Sequence, residues 1–310
     1  LKKIVTGKTG LLGSEILGLD FDAIGLSTID TDLTKQSNFL KNFSQKHGID
    51  TVIHCAARVG GVKANSDFVA DFFDDNVNMN MNVIQNCKES KIKLVSILST
   101  CIYPDANYVS YPLTEEQLHM GPPHYSNFGY AYAKRMLDVQ SRAYRQQFGC
   151  NFITVIPNNL YGINDNYDLE SGHVIPALIR KFHEAKLRNE SEVMVWGSGQ
   201  PLREFTFARD AANIILWLAE NYDGELPVNI GNTEQISIKN LSFMIAEEIG
   251  FEGKIVFDST KPDGQYQKPS SNQFLRSLGW KGEYTPLREG LKETINYFKE
   301  RYPNVRGVMI

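Results

Sequence analysis

The sequence predicts an α/β protein built on a doubly wound parallel sheet, with a smaller C-terminal substrate-binding region. Short apolar runs alternate with helix-like stretches through the first half. Those runs are continuous rather than alternating, and a glycine-rich turn follows the first of them directly. Continuous apolar runs mark strands covered on both faces, as in a parallel sheet. Strands alternating with helices build such a sheet.

Taken in order, residues 2–6 read as the first strand and Gly7-Lys8-Thr9-Gly10-Leu11-Leu12-Gly13 as the turn after it. About ten residues separate that turn from a second strand at 23–26, so the helix between them has little more than two turns. Further strands are expected at 51–55, 93–98 and 151–156, with helices at 36–46, 68–90 and 130–148. After Pro157 the character changes. Residues 158–171, rich in Asn, Asp, Tyr and Gly, read as a long loop, followed by a helix at 173–188 and a strand at 192–196. A turn follows at Gly197-Ser198-Gly199. An amphipathic helix at 286–302 presents Leu287, Leu291, Ile295 and Phe298 at helical spacing. This divides the chain into a dinucleotide-binding domain at 1–157 and a mainly substrate-binding domain at 158–310. The sheet is re-entered within 203–230, at 205–207 and 228–230, so the border is not one clean cut.

Composition bounds the function. The chain has 310 residues, 42% of them hydrophobic and 11% aromatic, with a formal net charge of −4, which excludes a disordered chain. The slight acidity argues against nucleic acid as a partner, and no apolar run reaches the ~18 residues of a membrane span. The sequence enters a strand at once, so no signal peptide is expected, although it does not begin with methionine. Cys55, Cys87, Cys101 and Cys150 lack paired spacing, which suggests reduced thiols in a cytoplasmic protein with no metal site.

Gly7, Gly10 and Gly13 sit between a strand and a helix. There glycine permits a sharp turn and a close approach to a pyrophosphate, while the helix N-terminus supplies N–H donors: a Rossmann-type dinucleotide site. The end of the second strand should read the adenosine ribose, a carboxylate favouring a free 2′-hydroxyl and a cation a 2′-phosphate. Here stand Ser27, Thr28, Asp30 and Asp32, with Lys8 the nearest cation, so the residues leave NAD and NADP open.

Tyr130 and Lys134 lie four apart, on one face of a helix. A phenol with an ordinary pKa of ~10 becomes useful near neutrality when an ammonium stabilises its anion. Ser99 and Cys101 follow the fourth strand at its carboxyl end, where open α/β sheets bind ligands. Ser99 could share hydrogen bonds with Tyr130 around a substrate carbonyl.

Together these features resemble the extended short-chain dehydrogenase/reductase superfamily. Longer runs narrow the likeness: His54-Cys-Ala-Ala-Arg-Val-Gly-Gly61, Ser99-Thr-Cys-Ile-Tyr-Pro104, Ser126-Asn-Phe-Gly-Tyr-Ala-Tyr-Ala-Lys134, Gly172-His-Val-Ile-Pro176, Val195-Trp-Gly-Ser-Gly199 and Lys261-Pro-Asp-Gly264. They are similar to the GDP-L-fucose synthase family, which implies a 3,5-epimerase and 4-reductase acting on GDP-4-keto-6-deoxy-D-mannose. A C4 ketone acidifies the C3 and C5 hydrogens, and each inversion needs one group to remove a proton and another to return it. Thiol and imidazole suit that work near neutral pH. The resemblance implies Cys101 as base, His173 as acid, Tyr130 as proton donor to the C4 oxygen, and Lys134 on the nicotinamide ribose, where it lowers the tyrosine pKa.

By the same resemblance Leu11, Leu12, Asp32, Ala56, Ala57, Asn159 and His173 join Gly7, Lys8, Gly10, Gly13 and Lys134 around the cofactor. Arg180, Trp196, Arg203 and Lys268 face the GDP-sugar, with Arg203 and Lys268 foremost on the diphosphate. The family implies NADP(H). Ser27 and Thr28 stand where an arginine would be expected, so NAD(H) stays open. It also implies a homodimer formed through helices beside the catalytic one. Cys55, Cys87 and Cys150 read as structural. Other readings are a nucleotide-sugar 4-epimerase or 4-reductase without C3/C5 activity, a cysteine hydrolase, and a non-enzymatic dinucleotide sensor.

Overall fold

The protein is described by a computed structural model over residues 2–261 and 263–308; Pro262, within the Lys261–Gly264 run, lies outside the described residues. The first half runs β1 (Lys3–Thr6), α1 (Leu11–Leu19), β2 (Ile24–Leu26), α2 (Phe39–His47), β3 (Thr51–His54), α3 (Val62–Asp67), α4 (Val69–Ser90), β4 (Lys93–Ile97), α5 (Phe128–Phe148) and β5 (Phe152–Ile156). The second runs β6 (Asn159–Tyr161), α6 (Val174–Leu187), β7 (Glu192–Trp196), β8 (Leu202–Phe207), α7 (Ala208–Asn221), β9 (Val228–Asn229), β10 (Gln235–Ser237), α8 (Ile238–Ile249), β11 (Lys254–Asp258), α9 (Gln273–Ser277) and α10 (Leu287–Arg301).

Six parallel strands form the central sheet in the order β2-β1-β3-β4-β5-β9. Period-two alternation divides their buried residues between two cores. Ile4, Val52, Leu94 and Phe152 pack with Leu40, Val83, Ile84 and Leu137 from α2, α4 and α5. Val5, Ile53, Val95 and Ile153 face the other way, against Ile16 of α1 and Ile215 and Leu218 of α7. The strands are continuous apolar runs because both faces are covered. At the end of α5, Gly149 adopts φ +66° and donates its N–H to the Arg145 carbonyl while the Cys150 N–H reaches that of Tyr144, a left-handed cap that glycine adopts without strain. The chain then turns directly into β5.

Two expectations are corrected here. Residues 158–171 are not all loop: β6 occupies Asn159–Tyr161, a strand too short and polar to show an apolar run. Residues 205–207 do not rejoin the central sheet. They belong to β8, which pairs parallel with β6 and antiparallel with β10 in a separate three-stranded sheet. The chain returns to the central sheet only at β9, beside β5. A third core joins Ile179 and Phe182 of α6, Val193 of β7, Phe205 of β8, Leu241 and Ile245 of α8, and Leu291 and Phe298 of α10. The loops carrying the candidate site lie between this body and the carboxyl ends of the central strands.

Candidate active site

The glycine turn is a cradle that side chains would fill. Gly7 has φ +75°, and a Cβ on it would sit 3.0 Å from the Ala56 nitrogen. A Cβ on Gly13 would overlap the Gly7 carbonyl oxygen, so α1 presses against the turn as only glycine allows. Gly10 begins α1 with no side-chain cap. The first-turn N–H groups of Leu11, Leu12 and Gly13 thus face the cradle's mouth as anion donors. Thr6 ties β1 to β3: its hydroxyl lies 2.8 Å from His54 Nδ1 and accepts the Ala56 N–H at 3.1 Å. That contact fixes Ala56 and Ala57 beside the turn. The residues fit a dinucleotide pyrophosphate.

At the end of β2, Lys8 Nζ lies 2.7 Å from Asp30 Oδ2, and Ser27 donates its N–H and hydroxyl to that oxygen, each at 2.8 Å. Asp32 serves its own loop, accepting from the Thr34 N–H and hydroxyl at 3.1 and 2.6 Å and pairing with Lys35 at 3.1 Å.

The catalytic candidates gather around the carboxyl end of β4. Ser99 starts a short 3-10 turn (Thr100–Ile102), and its Oγ accepts from the Cys101 backbone N–H at 3.4 Å and from the thiol at 3.2 Å. One turn apart on α5 stand Tyr130 and Lys134. Lys134 is 2% exposed, donates to the Ile97 carbonyl at 2.9 Å, and is pushed down by burial to a pKa of about 8. Tyr130 packs edge-on against Phe72. Its pKa lies well above the ordinary phenol value, first through burial and then through the neighbouring Cys101. The expected lowering by Lys134 is therefore not what this geometry gives. Burial dominates there, and the Lys134 ammonium is taken up by a backbone carbonyl. Tyr130 consequently holds its proton, as a donor must.

Burial also raises the Cys101 thiol, opposed first by the Lys268 ammonium and then by the Ser99 hydrogen bond and Lys134. Lys268 in turn feels Cys101, Arg203 and Glu204, and is lowered chiefly by burial. His173 caps the start of α6 with its side chain 48% exposed, and its Nδ1 lies 3.8 Å from Asp165 Oδ1. Burial disfavours the imidazolium, but Asp165 outweighs it and raises the pKa of His173 against the weaker fields of Arg306 and Lys268. Cys101 thus neighbours Tyr130, Lys134 and Lys268, and Lys268 neighbours Arg203, while His173 meets the group through the field of Lys268.

On the outer side, Arg203 donates to the Leu202 and Tyr266 carbonyls at 2.7 and 3.2 Å. Ser198 donates its N–H and hydroxyl to Asp263, each at 2.7 Å, and the Asp263 charge acts on Arg203. Trp196 closes β7, 47% exposed, with Lys181 and Lys261 at 5.4 and 5.7 Å from its ring. Asn159 donates its side-chain N–H to the Glu204 carbonyl at 2.7 Å, clamping β6 to β8.

Arg180 is the predicted residue that the structure does not bring to this cluster. It pairs with Glu184 at 2.7 Å and donates to the Tyr167 and Gly307 carbonyls, fastening the C-terminal segment. One step along a helix turns a side chain by about 100°, so Lys181, not Arg180, faces Trp196. Sequence reasoning also missed Asp165 and Glu204. Glu204 is 3% exposed and accepts from the Ser270 N–H at 3.0 Å and hydroxyl at 2.7 Å, anchoring the segment that carries Lys268. Neither carboxylate has a local signal. Asp165 lies among many polar residues, and Glu204 matters only once residue 270 reaches it.

Comparison with known proteins places this geometry. Residues 4–231 match the family described as "NAD dependent epimerase/dehydratase family". The chain is 41% identical to the GDP-L-fucose synthase of Dictyostelium discoideum over 313 residues, covering 98% of this chain and 97% of that protein. It is 41% identical over 306 residues to a probable GDP-L-fucose synthase of Oryza sativa subsp. japonica, covering 96% and 92%. Among solved structures it is similar to a GDP-L-fucose synthetase from Naegleria fowleri bound to NADP, with a TM-score of 0.89, 40% identity, and coverage of 98% and 94%.

Proposed function

The chain belongs to the NAD dependent epimerase/dehydratase family and, within it, to the GDP-L-fucose synthases, and on that premise we propose that it converts GDP-4-keto-6-deoxy-D-mannose to GDP-L-fucose as a 3,5-epimerase and 4-reductase using NADP(H). What supports the reading is the Cys101 thiol on Ser99, beside Tyr130 and Lys134, with His173 linked to that group through the field of Lys268.

Gly7–Gly13, with Leu11, Leu12, Ala56 and Ala57, would hold the pyrophosphate of the cofactor. Lys134 and Asn159 would hold its nicotinamide half. When bound, the reduced nicotinamide supplies a hydride to C4. Cys101 removes the acidified C3 and C5 protons; Lys268 and Lys134 favour its thiolate against the burial that opposes it. His173, whose imidazolium Asp165 favours, returns a proton from the opposite face. Ser99 and Tyr130 hold the C4 oxygen, and Tyr130 gives up its retained proton as the alkoxide forms. Arg203 and Lys268 take the diphosphate, with Trp196 and Lys181 at its outer edge. Residues 1–157 thus serve mainly the cofactor and 158–310 mainly the sugar nucleotide.

The protein is read as a cytoplasmic homodimer. Its four cysteines are unpaired, and no helix among the described residues is long and apolar enough to cross a membrane. On α5, Phe128, Tyr132 and Val139 form an exposed apolar stripe, next to Phe73 and Met81 exposed on α4.

The test is incubation with GDP-4-keto-6-deoxy-D-mannose and NADPH in D2O, followed by NMR of the product. Deuterium at C3 and C5 of GDP-L-fucose is expected. Cys101→Ser should abolish both incorporations while direct reduction at C4 stays measurable. A wild-type enzyme that reduces C4 without incorporating deuterium would be a plain 4-reductase.

A further inference from the structure

One oxygen at the end of β2 collects more donors than a surface carboxylate needs. Asp30 Oδ2 is met by the Lys8 ammonium at 2.7 Å and by the Ser27 N–H and hydroxyl at 2.8 Å each. An ammonium, a backbone amide and a hydroxyl converging on one anionic oxygen make the donor set a phosphate oxygen takes. The end of the second strand is also where this fold reads the adenosine ribose, at its 2′ position. We propose that Lys8 and Ser27 form the receptor for the 2′-phosphate of NADP(H), and that Asp30 is a built-in competitor for it, setting the preference between the phosphorylated and unphosphorylated cofactor.

Further features of the same corner support this. Gly25 gives the Lys8 stem its path: a Cβ there would lie 2.8 Å from Lys8 Cβ and 3.2 Å from its Cδ, so the side chain lies across β2 against bare backbone. Lys8 is thereby steered to the strand's end rather than left as a loop charge. The nearby cation on the following loop, Lys35, is paired with Asp32, whose oxygens also hold Thr34. At the tip between these groups stands Ile29, 98% exposed and able to give a phosphate nothing. The Lys8 and Asp30 side chains are each about one-third exposed, 35% and 34%, so the carboxylate can yield without disturbing the core. Lys8, Ser27 and Ser27's own backbone hold the Asp30 carboxyl below the usual carboxylate range, so the competitor stays charged at any working pH.

A 2′-phosphate carries about −1.5 to −2 charges, and against it a carboxylate on the same ammonium is both repelled and displaced. A free 2′-hydroxyl instead donates to that carboxylate. Asp30 thus works against NADP(H) and for NAD(H), while Lys8 works the other way. The proposal rests on the dinucleotide lying along the Gly7–Gly13 cradle.

Isothermal titration of NADP+, NAD+, 2′,5′-ADP and 5′-AMP into wild type, Asp30→Asn and Lys8→Met separates these claims, with circular dichroism as the folding check. In Asp30→Asn, NADP+ and 2′,5′-ADP should bind about tenfold tighter, with NAD+ unchanged or weaker. In Lys8→Met, NADP+ and 2′,5′-ADP should weaken about tenfold while NAD+ and 5′-AMP hold. Raising the salt should erode the NADP+ advantage in wild type and spare NAD+. An NADP+ to NAD+ affinity ratio that moves less than twofold in a folded Asp30→Asn protein overturns the competitor role. Equal loss of both cofactors in Lys8→Met overturns the receptor. Wild type that binds neither cofactor removes the cradle reading and the proposal with it.

Discussion

At the scale of single residues, the proposed site depends on groups whose proton affinities are set by burial and by a few charged neighbours. Asp165 acts through His173. It is 3% exposed, its Oδ2 has no hydrogen-bond partner among the described residues, and its Oδ1 lies 3.8 Å from His173 Nδ1. Because the His173 pKa is raised, the protonated acid survives to a higher pH than a free imidazole would allow. Proton return therefore falls as pH rises through that raised value. Asp165→Asn should move the fall to lower pH, leaving burial, Arg306 and Lys268 to depress the imidazolium unopposed. At alkaline pH, deuterium exchange should drop about tenfold per unit of pKa lost. NADP+ affinity, measured alongside, should not change. A pH profile of exchange that superimposes on wild type would show that Asp165 only packs. Asp165 was illegible in the sequence, since an aspartate among residues 158–171 has several polar neighbours and only the fold selects the histidine. Cys101 and His173 enter the proposal through the runs around them, not through their residue types.

At the scale of elements, legibility followed the range of the forces that make them. The β1–turn–α1 unit is local: an apolar run, glycines at fixed spacing and a short helix, all within residues 3–19. Its glycines have separable jobs, and Gly13 carries the harder one. Gly13→Ala would place a methyl group on the Gly7 carbonyl oxygen, which cannot move without reshaping the turn that Ala56 abuts. Thermal unfolding should show a loss of about 1–3 kcal/mol, and NADPH titration by fluorescence a loss of affinity of at least tenfold. Full affinity in this variant would mean the cofactor does not use the cradle. The strand β6 escaped notice for the opposite reason. Three residues held by Asn159 on the Glu204 carbonyl and by register with Phe205 owe their form to a partner more than forty positions away. Arg180 and Lys181 show a third limit. Adjacent cations on a helix are equivalent in a sequence, and only the facing core decides that one fastens the C-terminus while the other reaches Trp196.

At the scale of the whole molecule, two bodies with separate cores meet over the carboxyl ends of the central strands, and the chain crosses between them at β6, at α7 and again after β9. Such an arrangement holds the substrate-side groups of β8 and residue 268 against Cys101 through long-range contacts, which is why their assembly could not be read from spacing. The helix carrying Tyr130 and Lys134 has one face in the core and another, at Phe128, Tyr132 and Val139, open to solvent; the latter residues are 48%, 41% and 51% exposed. On an α-helix these positions fall within about 40° of one another, a contiguous stripe of the kind that self-association buries. A two-fold pairing would bring the stripe onto its own copy, since a symmetric dimer uses the same patch twice. Val139→Glu would then put a carboxylate from each copy into that apolar contact. Sedimentation equilibrium should show the wild type at twice the 35.0 kDa chain mass and the variant near a single chain. Because α5 also positions the phenol, the separated variant should lose NADPH-dependent reduction more than it loses cofactor binding. A wild type that sediments as a monomer, or a variant that remains dimeric, would move the interface off this helix.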